Sequence, residues 1–290
     1  MNWKLSRLAA AVSILAASSA WADAPFFFST GGVTSAIGMA SRPGVAGKTE
    51  IEAGDDFVTT QPTTVTSATF IGVVTSGSTV STILGVDVEI YRVFPLDSDA
   101  VRMPNVPTRT NSPSDVALDS RSSSAGEVTF STLTLASTFT LANSVLNGIH
   151  PFPNQLTMGE GAVTGSEVQF TLTFATPFVL PADHYFFVPQ VQVAGGEFYW
   201  MSGPRPIVAP AGTPFSPDLQ TWMRNDPLDP DWLRVGTDIV GSGTFNGAFT
   251  LTGSVAAVPE PETSALMLLG LAAVGGIARR RRAAGAGPAR

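Results

Sequence analysis

Six segments of the chain alternate apolar and polar residues, and Gly and Pro residues lie between them. The segments are 68–74, 85–94, 127–141, 167–174, 185–193 and 243–255. A period of two places the apolar side chains on one face, as in a half-buried strand. Antiparallel sheets that pack face to face would bury those faces. The sequence therefore predicts an all-β fold, an antiparallel β-sandwich of jelly-roll type.

The composition also favours strands and turns over long helices. The 290 residues include 28 Gly and 22 Pro, and only 13% of them are charged. Chains of this length can bury the core of one large domain. Cys is absent, which excludes disulfides, thiol catalysis and zinc sites built on Cys ligands.

The charge is distributed unevenly along the chain. Residues 23–258 hold 9 Lys and Arg against 21 Asp and Glu, a net charge of −12. An acidic surface repels phosphate groups, so neither nucleic acid nor anionic lipid is expected as a partner of this region.

The first residues have the pattern of an export signal. Two basic residues precede an apolar stretch over 8–17, and Ala20 and Ala22 supply the small side chains that signal peptidase requires. We expect a signal helix in residues 1–22, cleavage after Ala22 and a mature chain that begins at Asp23.

The C-terminal region combines a rigid step with an apolar stretch and a basic cluster. Pro259 and Pro261 hold Glu260 in extended backbone, which cannot continue a helix. Residues 265–278 are uncharged and mostly apolar, and a helix of this length reaches about 21 Å against roughly 30 Å of hydrocarbon. A short transmembrane helix is predicted. Arg279, Arg280, Arg281 and Arg282 would anchor its cytoplasmic end.

This region resembles the PEP-CTERM sorting signal of Gram-negative bacteria. The resemblance rests on Val258, Pro259, Glu260 and Pro261, on the hydroxyl residue Thr263, and on the apolar helix and Arg cluster that follow. It implies recognition by exosortase, a membrane protease-transpeptidase that cuts near the Pro-Glu-Pro step. It also implies a transient stay in the inner membrane, a final place at the cell surface or outside the cell, and an association with exopolysaccharide in biofilms.

These features divide the chain into four parts. They are a signal peptide over 1–22, a β-sandwich ectodomain over 23–257, a sorting signal over 258–282 and a cytoplasmic tail over 283–290. Within the ectodomain, 95–126 and 202–231 are rich in Pro and polar residues and are expected to form long surface loops.

Candidate binding residues in the ectodomain are aromatic or acidic. Exposed rings could stack on sugars, and the candidates are Tyr199, Trp200, Trp222 and Trp232. Close carboxylates could bind calcium, and the candidates are Asp97, Asp99, Asp229 and Asp231. Burial of the rings and turn capping by the carboxylates are the competing explanations.

Catalytic motifs are poorly represented. The chain has only two His residues, His150 and His184, and it has no Gly-x-Ser-x-Gly elbow or phosphate-binding loop. No catalytic residue and no cofactor other than calcium is assigned. The expected function is that of an exported, non-catalytic surface or matrix protein. A carbohydrate-binding module is the alternative, and a glycoside-active enzyme with paired carboxylates ranks below both.

Overall fold

The computed structural model describes residues 23–45, 47–75, 82–99, 101, 106, 109–150, 155–204, 219–256, 269–277 and 280. The chain divides into two compact units. One unit is Ala24–Ala256, and the other combines Met1–Asp23 with Ala257–Arg290. The predicted signal helix lies outside the described residues.

The described part of Ala24–Ala256 is built from strands. Fifteen are found there: β1 (Ala24–Ser29), β2 (Ile37–Ala40), β3 (Ile51–Val58), β4 (Thr63–Thr75), β5 (Ile83–Arg92), β6 (Asp119–Ser122), β7 (Val128–Leu141), β8 (Asn143–Val145), β9 (Val163–Leu180), β10 (His184–Val193), β11 (Phe198–Gly203), β12 (Trp222–Asn225), β13 (Leu233–Arg234), β14 (Asn246–Gly247) and β15 (Phe249–Val255). A π-helical turn, Val235–Val240, follows β13.

The strands form two sheets. The first sheet has the order β1-β15-β4-β11-β2-β8, with β9 on the other edge of β4, β7 beside β9, and β14 beside β11. The second sheet has the order β13-β12-β3-β10-β5-β6. Every pairing of named strands is antiparallel except β2 with β8, which is parallel.

Alternate residues of both sheets meet in one shared core. Phe70 of β4 stacks on Phe170 of β9 at 4.8 Å between ring centroids, and Phe187 of β10 stacks on Phe249 of β15 at 5.1 Å. The first pair lies within one sheet, whereas Phe187 and Phe249 come from facing sheets, and all four rings belong to one cluster of buried apolar side chains. The core therefore has the two-layer construction of a sandwich.

The prediction of a mostly β fold with antiparallel sheets is confirmed, and each of the six alternating segments overlaps a named strand. The jelly-roll connectivity remains a prediction.

The expectation of two long surface loops was wrong in part. β6 lies within 95–126, where Arg109, Ser112 and Asp115 are buried, and β12 lies within 202–231. Polar composition suggested exposed loops. These segments can nevertheless be buried, because their polar groups have partners within the protein.

In the C-terminal region, residues 269–277 are helical and exposed. Among the described residues, the structure contains no helix with the length and apolar character needed to cross a membrane.

Candidate functional site

The candidate site lies on the outer face of the second sheet, away from the shared core. Ile51, Ala53 and Phe57 of β3 point into the core, so Glu52 and Gly54 between them face outward. Because β12 runs beside β3, Arg224 pairs in register with Glu52. By the same alternation, Glu89 and Tyr91 of β5 point outward, since Val88 and Ile90 belong to the core.

A buried layer that includes Trp232 and Val188 lies beneath the polar groups of the site, next to Gly54. A Cβ atom on Gly54 would lie 3.0 Å from Val188 Cγ2 and 3.8 Å from Trp232 Cζ3. Trp232 packs edge-on against Tyr91 at 5.3 Å between centroids, and its Nε1 donates a hydrogen bond to Ser114 O at 3.1 Å. The missing side chain of Gly54 thus leaves room for Val188 and Trp232 beneath the polar groups.

Arg224 holds the polar groups of the site together. Its guanidinium donates to both carboxylate oxygens of Glu52, at 3.2 Å from Nη2 to Oε1 and through a shorter bond from Nε to Oε2. Nη2 also donates to the Tyr91 hydroxyl at 2.8 Å, and Nη1 donates to Asp115 O at 2.9 Å. The guanidinium carbon lies 4.5 Å from the centroid of the Trp232 ring. Arg224 is therefore fixed by ion pairing and by stacking.

The Tyr91 hydroxyl has three polar neighbours but only one proton. It lies 2.6 Å from Glu52 Oε1 and 2.8 Å from Glu89 Oε2, and it accepts from Arg224. The hydroxyl can donate to only one carboxylate. If it donates to Glu52, the contact with Glu89 is a hydrogen bond only when Glu89 carries a proton.

The environment of Glu89 favours that proton. Burial, followed by the negative charge of Glu52, raises the pKa of the Glu89 carboxyl from 4.5 to about 8. At neutral pH Glu89 is therefore mostly neutral, and it can act as a hydrogen-bond donor beside the carboxylate of Glu52. Burial also raises the pKa of the Tyr91 hydroxyl, which stays protonated.

These groups border an open pocket of about 500 Å³. Its volume falls within the range of small-ligand sites. The lining is rich in carboxylates, which are Glu50, Glu52, Glu89, Asp115, Asp226 and Asp229. Among the described residues, Arg224 is the one basic residue in this lining. Burial raises the pKa values of the Glu50 and Asp229 carboxyls as well.

A second buried ion cluster supports the wall of the pocket. Arg109 forms ion pairs with Asp115 and with Asp231, the latter at 2.9 Å, and its guanidinium carbon lies 4.0 Å from the centroid of the Phe94 ring. All three charged side chains are at most 3% exposed. A buried charge is tolerated when it is paired, so Asp115 and Asp231 are structural partners of Arg109.

Three of the four predicted calcium residues form ion pairs with arginines. Asp97 pairs with Arg92 at 2.5 Å, Asp229 pairs with Arg224 at 2.9 Å, and Asp231 belongs to the Arg109 cluster. The Arg92 guanidinium lowers the pKa of the Asp97 carboxyl. Asp99 is exposed. Within the described ranges, no group of three or more His, Asp or Glu side chains is arranged to hold a metal ion.

The predicted stacking rings are buried, which corrects the expectation of a sugar platform on them. Tyr199 is 5% exposed, and Trp200, Trp222 and Trp232 are fully buried. Trp200 Nε1 donates to Ala248 O at 3.0 Å within the core. A stacking platform needs an open ring face, so these four rings serve packing instead.

His184 is also part of the packed structure. It begins β10, and its Nε2 lies 2.9 Å from Asp56 Oδ2 in a fully buried pair. Burial lowers the pKa of the His184 ring to about 4, so the ring is neutral at neutral pH.

On the other face of β3, Asp55 lies within the core and accepts a hydrogen bond from Thr221 Oγ1 at 2.6 Å.

The protein therefore has two β-sheets and a polar pocket on the outer face of the second sheet. A sorting signal follows in the C-terminal region of the sequence. Residues 257–282 match the family model for the PEP-CTERM protein-sorting motif, as the sequence predicted. This motif indicates an exported protein that exosortase sorts to the surface. No curated protein and no solved structure matches the chain.

Most of the predicted tail and leader residues lie outside the described residues. This is true of Ala20, Ala22, Val258, Pro259, Glu260, Pro261, Thr263, Arg279, Arg281 and Arg282. Asp23 and Arg280 are described, and both are exposed. Their roles in cleavage and anchoring therefore remain predictions.

The pocket residues Glu52, Glu89, Tyr91 and Arg224 were missed by the sequence analysis. Glu89 and Tyr91 do carry a usable signal, because both lie on the polar face of an alternating strand. Glu52 and Arg224 are 172 positions apart, and only the pairing of β3 with β12 brings them together.

Proposed function

We propose that this is a non-catalytic component of the cell surface or extracellular matrix, which exosortase processes at its tail and which associates with exopolysaccharide. The observation that carries the proposal is the PEP-CTERM motif at 257–282, which follows a β-rich unit ending at Ala256. A sorting motif after a separate folded unit is the arrangement expected of a substrate of the sorting machinery.

The geometry of the pocket favours binding over hydrolysis. A glycosidase needs two carboxyl groups about 5 Å or more apart, with the scissile bond between them. Glu52 and Glu89 instead both lie within hydrogen-bond distance of one hydroxyl, that of Tyr91, and Glu52 is only 4% exposed. A carboxylate held in this way by Arg224 and Tyr91 is not available to attack a substrate.

Processing can be tested by replacing Pro259, Glu260 and Pro261 with Ala in a host that has exosortase. Loss of the stiff extended step and its carboxylate should leave the protein uncut and membrane-bound. Cell fractionation and the intact mass of the protein distinguish this outcome from normal processing.

Neutral replacements of Arg279, Arg280, Arg281 and Arg282 provide the matched comparison. They weaken the cytoplasmic anchor, so part of the protein should be released with its tail intact. Efficient processing of the triple-Ala variant would refute the proposed sorting role of the Pro-Glu-Pro step.

The outer pocket supports a second candidate function, carbohydrate binding. Its carboxylates, Asn225 and Arg224 offer acceptors and donors that suit sugar hydroxyls, and its volume suits a small ligand. The pocket takes the place of the four buried rings as the candidate binding surface.

Polysaccharide pull-down can test this candidate with Asp226→Ala and Glu50→Gln, two changes at the pocket lining. Both variants should bind several-fold more weakly than the parent. Asp87→Asn, on β5 but outside the pocket lining, is the matched control and should bind normally. Equal binding by all three variants would place any carbohydrate site elsewhere.

A further inference from the structure

β7 forms a long, uncharged edge of the first sheet. Among the described residues, it pairs only with β9. None of its 14 residues is charged or Pro, and Leu133 and Leu135 are 58% and 44% exposed. A free strand edge presents backbone N–H and C=O groups that another strand can pair with.

The other sheet edges within the described ranges are short or interrupted. β8 has three residues, β13 has two, β6 has four, and β1 has six including Pro25. Short strands, charges and Pro are the usual means of preventing edge pairing. β7 lacks all three of them.

One part of β7 is suited to pairing with itself. Its register with β9 is regular from Val128 to Thr134, and bulges interrupt it only beyond Thr134. An antiparallel pair of two such segments, centred on Ser131, would use all seven residues. It would place Phe130 opposite Thr132 of the second copy. A cross-strand pair of an aromatic and a β-branched residue is favourable.

We infer that residues 128–134 of β7 form a self-association edge, through which a second copy of this chain adds an antiparallel strand across a two-fold axis at Ser131. The first sheets of two copies would then join into one continuous sheet, with outward faces on the same side.

The charge distribution favours a second copy at this edge over contact through other faces. Residues 23–258 carry a net charge of −12, so like charges oppose most encounters between copies. The seven edge residues carry none of this charge. Glu127, just before them, accepts a hydrogen bond from Ser122 N at 3.1 Å and so is held by its own chain.

Because the chain has no Cys, a single introduced thiol reports on this pairing. In purified full-length Ser131→Cys, the two thiols face each other at a strand-pair distance, within disulfide range. Mild oxidation should convert most of the protein to a covalent dimer. Thr171→Cys is the matched control, because Thr171 is exposed beside Ser131 on β9. In the dimer the two residues at position 171 are separated by three strand spacings, about 14 Å, so they should not cross-link.

A charge exchange in the Ser131→Cys background tests the register, since residue 129 faces residue 133 of the second copy. Thr129→Lys with Leu133→Glu places opposite charges across the axis and should retain cross-linking. Thr129→Lys with Leu133→Lys places like charges there and should reduce it several-fold. Circular dichroism checks that both variants remain folded.

Two outcomes would overturn the inference. One is a Ser131→Cys protein that cross-links no more than Thr171→Cys. The other is equal cross-linking of the two charge variants, which would mean that copies meet in another register or through another face.

Discussion

At the scale of single residues, the outer pocket depends on where one proton lies. Tyr91 donates to Glu52, accepts from Arg224 and meets Glu89, whose proton completes the network. Arg224 forms an ion pair with Glu52, and the negative charge of Glu52 is, after burial, a cause of the raised pKa of the Glu89 carboxyl.

Glu89→Gln should change how stability depends on pH. The pKa of Glu89 is raised from 4.5 to about 8 in the folded protein, so its stabilising contribution is complete below pH 4.5 and is lost as pH rises toward 8. Through this window the group lowers the free energy of unfolding by up to about 1.4 kcal/mol per pH unit. A Gln amide donates to Tyr91 without titrating, so the variant should show a flatter profile.

Denaturant unfolding between pH 5 and pH 8 measures that difference. Asp87→Asn changes a carboxyl of the same strand outside the pocket lining and controls for general charge effects. If Glu89→Gln and the parent had parallel profiles, Glu89 would not carry the proton in the folded state.

At the scale of elements, how well a strand could be predicted depends on how it is buried. β5 and β9 were predicted because one face meets the core and the other meets polar surroundings. β3 was missed because all eight of its residues are buried, and its sequence mixes Gly, Asp and Glu with apolar residues. A strand that is covered on both faces and carries ion pairs does not alternate.

Close packing of β4 against β11 gives an element-scale prediction. A Cβ atom on Gly72 would lie 2.6 Å from the backbone oxygen of Tyr199 and would overlap the Phe198 ring. Gly72→Ala should therefore destabilise the protein by about 1–3 kcal/mol, since a backbone atom cannot easily move aside.

Gly32→Ala is the matched control, because nothing lies within 4 Å of a Cβ atom at Gly32. Thermal unfolding of both variants compares them. Similar melting temperatures would mean that β4 and β11 adjust without cost, contrary to the tight approach in the structure.

At the scale of the whole molecule, Ala24–Ala256 contains two sheets and one large shared core. Produced alone, this unit should be soluble and folded, because its large apolar core is buried within it and its net charge is acidic. Far-ultraviolet circular dichroism should show a β-rich spectrum with a cooperative thermal transition. A helical or unfolded spectrum would contradict the independence of the unit.

The sequence by itself determined the local and linear features of this protein. Alternation of side chains determined which segments become half-buried strands, since a period of two depends only on neighbouring residues. The PEP-CTERM motif was recognisable because its residues are contiguous and recognition by a membrane enzyme acts on a short linear segment.

Only the tertiary structure decided which polar and aromatic residues share an environment. The pairing of β12 with β3 joins Arg224 to Glu52, and the covering of the outer face buries Trp222 and Trp232. The same residue types could equally have formed an exposed platform. Burial and ion pairing depend on contacts between positions that are far apart in the chain. These contacts are set by the order of the strands in the sheets, which local sequence does not encode.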